Sequence, residues 1–247
     1  MRTALFADIH ANEEALEACL EHSRKQGAQA RAFLGDLVGY GADPGAVVNE
    51  VMASVQQGAV AVLGNHDQAV AQAPQRFMNA DARLVIDWTR ARLSSAQLDF
   101  LGRLPLTEVR GTRLYVHANA WDPGGWEYLT GAYDAGRSLR ATHLRYTFCG
   151  HVHRQALYHL SPGGRASHFD PVPGAEIRLG SRRRWLAIVG SVGQPRDGSP
   201  AASYALFDDR NGALTFFRVP YDSDEAARKV RAAGLPAVLG HRLEVGA

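Results

Sequence analysis

Five short apolar stretches of this chain each stop in side chains able to bind a metal or move a proton. ALFA is followed by Asp8-Ile9-His10, AFL by Gly35-Asp36, AVL by Gly64-Asn65-His66-Asp67, LYV by His117, and TFC by Gly150-His151-Val152-His153. Carboxylates, an amide oxygen and neutral imidazoles together suit divalent transition metals, and imidazole is also the side chain that exchanges a proton near neutral pH. Taken one at a time the motifs are ordinary. Asp after a strand caps helices, Gly-Asp and Gly-Asn make turns, and a lone His117 reads as a buried core residue. His-x-His is stronger, because alternate residues of an extended segment point the same way. Their common position carries more weight: five of the ten histidines fall just past apolar runs, while His22, His143, His159, His168 and His241 lie elsewhere.

Groups placed after strands meet in space only if the strands are parallel, since the carboxyl ends then share one rim. The patterning supplies such strands. Apolar runs at 2–7, 30–34 and 59–63 alternate with helical periods, which specifies a mostly parallel sheet with flanking helices. One helix starts at Asn12 as N-cap, has acids in its first turn, buries Ala15, Leu16, Cys19 and Leu20, and stops at Gly27. A second spans 44–57, with Pro44 near its start. Further helices are expected at 79–92, from Ser94 or Ser95 to Leu104 before Pro105, and at 133–143. TEVR turning through Gly111-Thr112 into RLYVH predicts a hairpin, and YTFC at 146–149 another strand. From 155 onward the period becomes two, with runs near 155–160, 176–179, 185–190, 203–208 and 213–219, then a closing helix at about 223–233. That shift predicts a second, antiparallel sheet. Residues 161–174 read as a loop or a mobile excursion.

At 247 residues the chain fits one α/β domain, 1–247, with a sizeable core. Lys+Arg 27 against Asp+Glu 25 leaves a net charge of +2, too little for a polyanion-coating surface. Nucleic acid is therefore unsupported as a partner, and oligomeric state stays open. Cys19 and Cys149 read as core residues of a reducing compartment, with no disulfide framework. MRTALFADIH turns polar too early for a signal peptide, and no apolar stretch approaches the roughly 20 residues of a membrane span. A soluble cytoplasmic protein without membrane contact is expected.

The ordered set D-x-H, GD, GNHD, H and GHVH, running from Asp8 to the late SVGQPRDG, resembles the calcineurin-like metallophosphoesterases over the whole chain. GDLVGYGADP and SVGQPRDG are similar to the small prokaryotic phosphodiesterase branch of that superfamily. The resemblance implies a four-layer α/β/β/α sandwich, two mixed sheets flanked by helices, with metals at the carboxyl ends of the strands. It also implies a dinuclear metal-dependent phosphoesterase that cleaves phosphodiester or nucleotide phosphate bonds by in-line attack of a hydroxide bridging two metals. Carried over residue by residue, Asp8, His10, Asp36 and His153 would hold the first metal and Asp36, Asn65, His117 and His151 the second. Asp36 is then the bridge, which two dications about 3.5–4 Å apart require. The mixed donors suit Mn, Fe, Zn, Co or Ni, and with no thiolate to select Zn the expectation is Mn or Fe. His66 would donate a proton to the leaving oxygen. Asp67 would either orient its ring or cap the following segment.

The departures concern the substrate. Where serine/threonine protein phosphatases and symmetric diadenosine tetraphosphate hydrolases carry an Arg after the GD motif, this chain has Gly39-Tyr40-Gly41. His10 and His117 are followed by Ala where Gly is common. A small phosphate ester or nucleotide fits better than a phosphoprotein, with asymmetric dinucleoside-polyphosphate hydrolysis as the alternative. Arg196 is a candidate phosphate contact, since a guanidinium matches two phosphoryl oxygens, unless it pairs with Asp197. Tyr40 lies near Asp36 as a second candidate. Trp121, Trp126 and Tyr128 follow His117, where they could stack on a base or pin their loop to the core. Arg182, Arg183 and Arg184 read as a solvated loop. A reading of a different class is a protein-binding scaffold like the eukaryotic trafficking subunit of this fold, which has lost its catalytic His; here His66 is present.

Overall fold

Alternate residues of strand β1 (Arg2–Phe6) enter different cores: Ala4 and Phe6 pack under helices, whereas Leu5 packs toward a second sheet. A strand buried on both faces belongs in the interior of a layered structure. The computed structural model describes residues 1–72 and 80–247. Its first sheet has the order β3 (Val60–Ala61), β2 (Ala30–Phe33), β1, β11 (Ala202–Asp208), β12 (Ala213–Val219) and β9 (Glu176–Arg178). The second runs β4 (Thr107–Arg110), β5 (Arg113–Val116), β6 (Tyr146–Cys149), β10 (Arg184–Val189), β7 (Gln155–Leu160) and β8 (Ala166–Phe169). Both sheets are mixed. The β1–β2, β2–β3, β5–β6 and β6–β10 pairs are parallel and the others antiparallel.

Between the sheets, Leu5, Ala32, Leu34, Phe207 and Phe216 of the first meet Tyr115, Phe148, Leu157, Trp185 and Val189 of the second. Outside the first sheet, Leu16 and Cys19 of α1 (Glu13–Lys25), Val47 and Val51 of α2 (Pro44–Gln56), Val70 of α3 (Asn65–Ala71), Ile86 of α4 (Ala80–Arg90) and Leu101 of α5 (Ser95–Gly102) cover Phe6, Phe33 and Tyr204. Outside the second, α6 (Ala132–Arg140) buries Ala135 and Leu139 on Val116, Tyr158 and Ile188. The layers are therefore α/β/β/α. Asn12 caps α1 as expected, its side chain accepting from the Ala15 N–H at 3.0 Å. Helices α7 (Ser223–Ala232) and α8 (Ala237–Val245) join α4 in a satellite core around Val85, Val230 and Leu239. Among the described residues no helix is long and apolar enough to cross a membrane.

Three expectations are corrected, and one helix is added to those expected. The strands after 155 do not form an antiparallel sheet of their own: β9, β11 and β12 complete the first sheet, and β10 lies parallel to β6. Period two shows that a segment is extended but not which edge receives it. The stretch 161–174 contains β8, which folds back antiparallel on β7. GNHD begins a helix, α3, with Gly64 extended at its N-cap, and α8 follows the helix expected to close the chain. The expected start of a helix at residue 79 lies outside the described residues.

Candidate metal centre

The parallel strands deliver their loops to one rim, and the backbone then stitches those loops together. Asp8 N–H donates to the Gly35 carbonyl at 3.1 Å and His10 N–H to that of Asp36 at 3.0 Å, joining the loops after β1 and β2. Gly150 N–H reaches the His117 carbonyl at 2.9 Å, which does the same for β5 and β6. The two sheets are joined through Asp8 itself, whose carboxylate oxygens accept from the His151 N–H at 3.1 and 2.9 Å. All seven candidate ligands thus converge in space although they are spread from residue 8 to residue 153.

Three overlapping groups, Asp8/His10/His153, Asp36/His117/His151 and His10/Asp36/His66, each have donor atoms within 4.8 Å of one another. In the first, His10 Nε2 is 3.1 Å from His153 Nε2, and His153 Nε2 is 3.4 Å from Asp8 Oδ1. In the second, His117 Nε2 is 3.1 Å from His151 Nδ1 and 3.2 Å from Asn65 Oδ1. Asp36 Oδ2 faces both, at 3.8 Å from His10 Nε2 and 3.3 Å from His117 Nε2. This is the position expected of a bridge.

Hydrogen-bond bookkeeping tests whether cations fit. His10 Nδ1 lies 3.2 Å from the Val38 carbonyl, His153 Nδ1 2.6 Å from that of Gln194, His117 Nδ1 2.7 Å from that of Leu34, and His151 Nε2 2.9 Å from that of Trp126. A carbonyl only accepts, so each of these nitrogens carries the ring's hydrogen and the other nitrogen of a neutral imidazole presents a lone pair. The 3.1 Å approach of His10 Nε2 to His153 Nε2 is then lone pair against lone pair. Such a contact repels unless something positive lies between the two nitrogens, and a ring N–H fixed by a backbone carbonyl is the usual support of a metal-ligating histidine. The donor set fits two cations.

The titration behaviour agrees. Burial lowers His153 to about 3 and His151 to about 4, and with neighbouring His153 holds His10 well below the usual imidazole range. These rings are neutral and ready to donate. Burial alone would raise Asp36, but His117, His66 and His10 around it hold it well below the usual carboxylate range. Burial would likewise lower His117, yet Asp36 and Asp8 push it up to about 9. Burial raises Asp8 to about 8. Without cations, then, protons gather on Asp8 and His117, and metal binding displaces protons held in this way.

Local strain is concentrated here. The non-glycine residues with left-handed φ among those described are Asp8, His10, Ala11, Asp36, Tyr40, Trp126, His151 and His153, at 50° to 67°. Each costs about 1–2 kcal/mol relative to ordinary backbone, and five of the eight are candidate ligands. Gly64 is demanded by closeness: a Cβ there would stand 2.2 Å from both Asp36 N and Asp36 Oδ1.

The remaining expected residues are placed as follows. His66 packs edge-on against His10 and Tyr40, with ring centroids at 5.0 and 4.5 Å, and its N–H donates to Asp36 Oδ1 at 2.9 Å. Asp67 is buried beneath and caps the backbone: it accepts from Leu37 and Gly64 at 2.8 and 3.1 Å and from Val38 at 3.2 Å. It makes no described hydrogen bond to the His66 ring, so the orienting role expected for it gives way to the capping one. Arg196 does not pair with Asp197, which is held by Arg218; its guanidinium carbon lies 5.9 Å from the Tyr40 ring centroid. Trp121 packs in the core under α6 beneath Arg137, and Trp126 donates to Gln68 Oε1 at 3.1 Å. Both pin their loop. Tyr128 is half-exposed and stacks on His151 at 4.0 Å. Of the Arg182-Arg183-Arg184 run, Arg184 bonds the Thr142 carbonyl at 2.6 Å and Arg183 reaches His159. Sequence reasoning missed Gln194, whose only signal was its place two residues before Arg196.

Residues 1–212 match the family model described as the calcineurin-like phosphoesterase superfamily domain. An uncharacterized protein of Methanocaldococcus jannaschii, MJ0912, is 33% identical over 254 aligned residues, covering 98% of this chain and 97% of that protein. The crystal structure of a metallophosphoesterase from Sphaerobacter thermophilus is similar at 33% identity and a TM-score of 0.87, over 100% of this chain and 99% of that one. A hypothetical protein from Pyrococcus horikoshii OT3, PH1004, shares the fold at 18% identity and a TM-score of 0.79, covering 100% and 98% of the two chains.

Proposed function

The chain belongs to the calcineurin-like phosphoesterase superfamily, and we propose that it is a dinuclear metal-dependent phosphoesterase acting on small phosphodiesters or nucleotide phosphate bonds. The observation that carries this reading is the gathering of four imidazoles, each tied by one ring nitrogen to a backbone carbonyl, in two neighbouring groups that share Asp36, with lone pairs facing at 3.1 Å between His10 and His153. Asp8, His10, Asp36 and His153 would hold one cation and Asp36, Asn65, His117 and His151 the other, with Mn or Fe suited to these oxygen and nitrogen donors. When bound, the pair supplies Lewis acidity toward the phosphoryl oxygens and a hydroxide nucleophile at neutral pH.

The chain's own groups do the rest. Asn65 Oδ1 faces His117, which leaves its amide N–H groups to stabilise charge growing on the phosphoryl oxygens. His66 groups with His10 and Asp36 at the edge of the centre, and burial lowers its pKa. A proton carried by such a ring passes readily to a departing oxygen. Tyr40 restrains the ring on one side and Gly39 on another, where a Cβ would stand 2.7 Å from His66 Nδ1. Arg196 at the Tyr40 side is placed for phosphate. Cys19 and Cys149, buried and free, fit a reducing cytoplasm.

The test is to strip the protein with chelator, restore it with Mn, and follow hydrolysis of a bis-aryl phosphate, an aryl monophosphate and a dinucleoside tetraphosphate. Metal-dependent turnover of at least one is expected, together with two metal ions per chain by elemental analysis. Turnover that survives metal removal, or none on any substrate with both metals bound, would reject the assignment.

A further inference from the structure

Next to His153 lies a group of donors that have nothing to donate to. Gln194 is 1% exposed and its Nε2 has no partner among the described residues; neither has the buried Nε of Arg196. Gln194 is held at both ends, its carbonyl accepting from His153 Nδ1 at 2.6 Å and its Oε1 from Arg196 Nη2 at 3.2 Å. The free amide nitrogen shares a carbon with that oxygen and so lies beside the guanidinium. The Tyr40 ring lies alongside, its centroid 5.9 Å from the Arg196 guanidinium carbon, and its hydroxyl is a further donor. No carboxylate among the described residues pairs with Arg196, because Asp197 belongs to Arg218. The guanidinium instead lies over Tyr40, whose ring packs on His10 and His66 of the candidate centre.

Buried donors are nearly always satisfied, by protein, water or ligand. Three donors converging from Tyr40, Gln194 and Arg196, with a net positive charge and no acceptor, select an anion. The phosphoryl group under attack is already provided for by the ligand residues, Asn65 and His66, and a simple diester has no further anionic oxygens. We propose that Tyr40, Gln194 and Arg196 bind a second, non-reacting phosphate of the substrate, so that phosphoanhydrides such as nucleoside polyphosphates are preferred over isolated diesters. This rests on the phosphoesterase reading of the centre.

Two measurements test it, on the Mn-loaded protein with metal content checked before and after. Calorimetric titration should show inorganic pyrophosphate binding at least about tenfold tighter than orthophosphate, a difference that Gln194→Leu and Tyr40→Phe each reduce several-fold. In turnover, Gln194→Leu should lose about tenfold in kcat/KM toward a dinucleoside tetraphosphate and less than about twofold toward a bis-aryl phosphate. Equal losses on both substrates, or pyrophosphate no tighter than orthophosphate in the wild type, would overturn the proposal. Should the wild type hydrolyse neither substrate, the phosphoesterase assignment fails, and the titration still decides whether the recess takes a second phosphate.

Discussion

At the scale of single residues, the site is organised by which nitrogen of each imidazole the backbone claims. His10, His117 and His153 are tied through Nδ1 and His151 through Nε2, so three rings present Nε2 and one presents Nδ1. His66 is the exception, packed by ring contacts with His10 and Tyr40. If it donates a proton to the leaving oxygen, the benefit scales with how badly that oxygen needs one. His66→Ala should therefore retain both metals and lose about 10²–10⁴-fold in kcat toward alkyl or sugar leaving groups, but much less toward 4-nitrophenolate. A loss independent of leaving-group pKa, measured across a series of aryl esters, would remove the proton-donor role. Asp67 shows where adjacency misleads. Residue i+1 of a helix start points elsewhere, and here its carboxylate is consumed by three backbone N–H groups that fix the loop carrying Asp36. The seven candidate ligands were legible because each is a chemically distinctive side chain at a strand end. Gln194 was not, since an amide in a loop is ordinary until its surroundings show it unpaired.

At the scale of elements, local signals and non-local pairing separate cleanly. The Asn12 cap, Pro44 at the start of α2 and the β4–β5 hairpin were readable because each depends on a few neighbouring residues. The membership of β9, β11 and β12 in the first sheet was not, because a strand's partner is set by the burial of both its faces after collapse. β11 records that outcome: it is buried throughout and stands between β1 and β12. One charged cluster marks the join. Asp208 at the end of β11 pairs in register with Arg2 of β1, and its side chain takes Arg210 and Arg2 Nε, the latter at 3.1 Å. Arg210 first, then Arg2, hold the Asp208 carboxyl below its ordinary 3.8. A carboxyl lowered in the folded chain stabilises it above the unfolded pKa, and that contribution is lost as pH falls through the folded one. Asp208→Asn should thus cost about 1 kcal/mol at pH 6, with the gap to wild type closing as pH falls below 3.8. Urea unfolding at several pH values measures this, and a gap that widens on acidification would exclude it.

At the scale of the molecule, the proposed cations and the core between the sheets would act on the same join. Leu5, Phe207 and Phe216 of one sheet interlock with Tyr115, Phe148 and Trp185 of the other, so neither sheet can shed its partner without exposing aromatic surface. We therefore propose residues 1–247 as a single cooperative domain. The candidate ligands straddle that core: Asp8, His10, Asp36 and Asn65 follow strands of the first sheet, and His117, His151 and His153 follow strands of the second. Each proposed cation takes donors from both sheets and would tie them at the rim. It would also relieve the lone-pair contact between His10 and His153 and offset the cost of the left-handed loops. Ligand that binds only the native state stabilises it by about 2.7 kcal/mol at a hundredfold excess over Kd, and in a chain of this size each kcal/mol is worth about 2–4 °C. Calorimetric unfolding should accordingly show one transition, shifted upward by about 5–10 °C when Mn is restored to chelated protein. Two separate transitions would deny the cooperative domain. A Tm indifferent to metal would deny that the cations link the sheets.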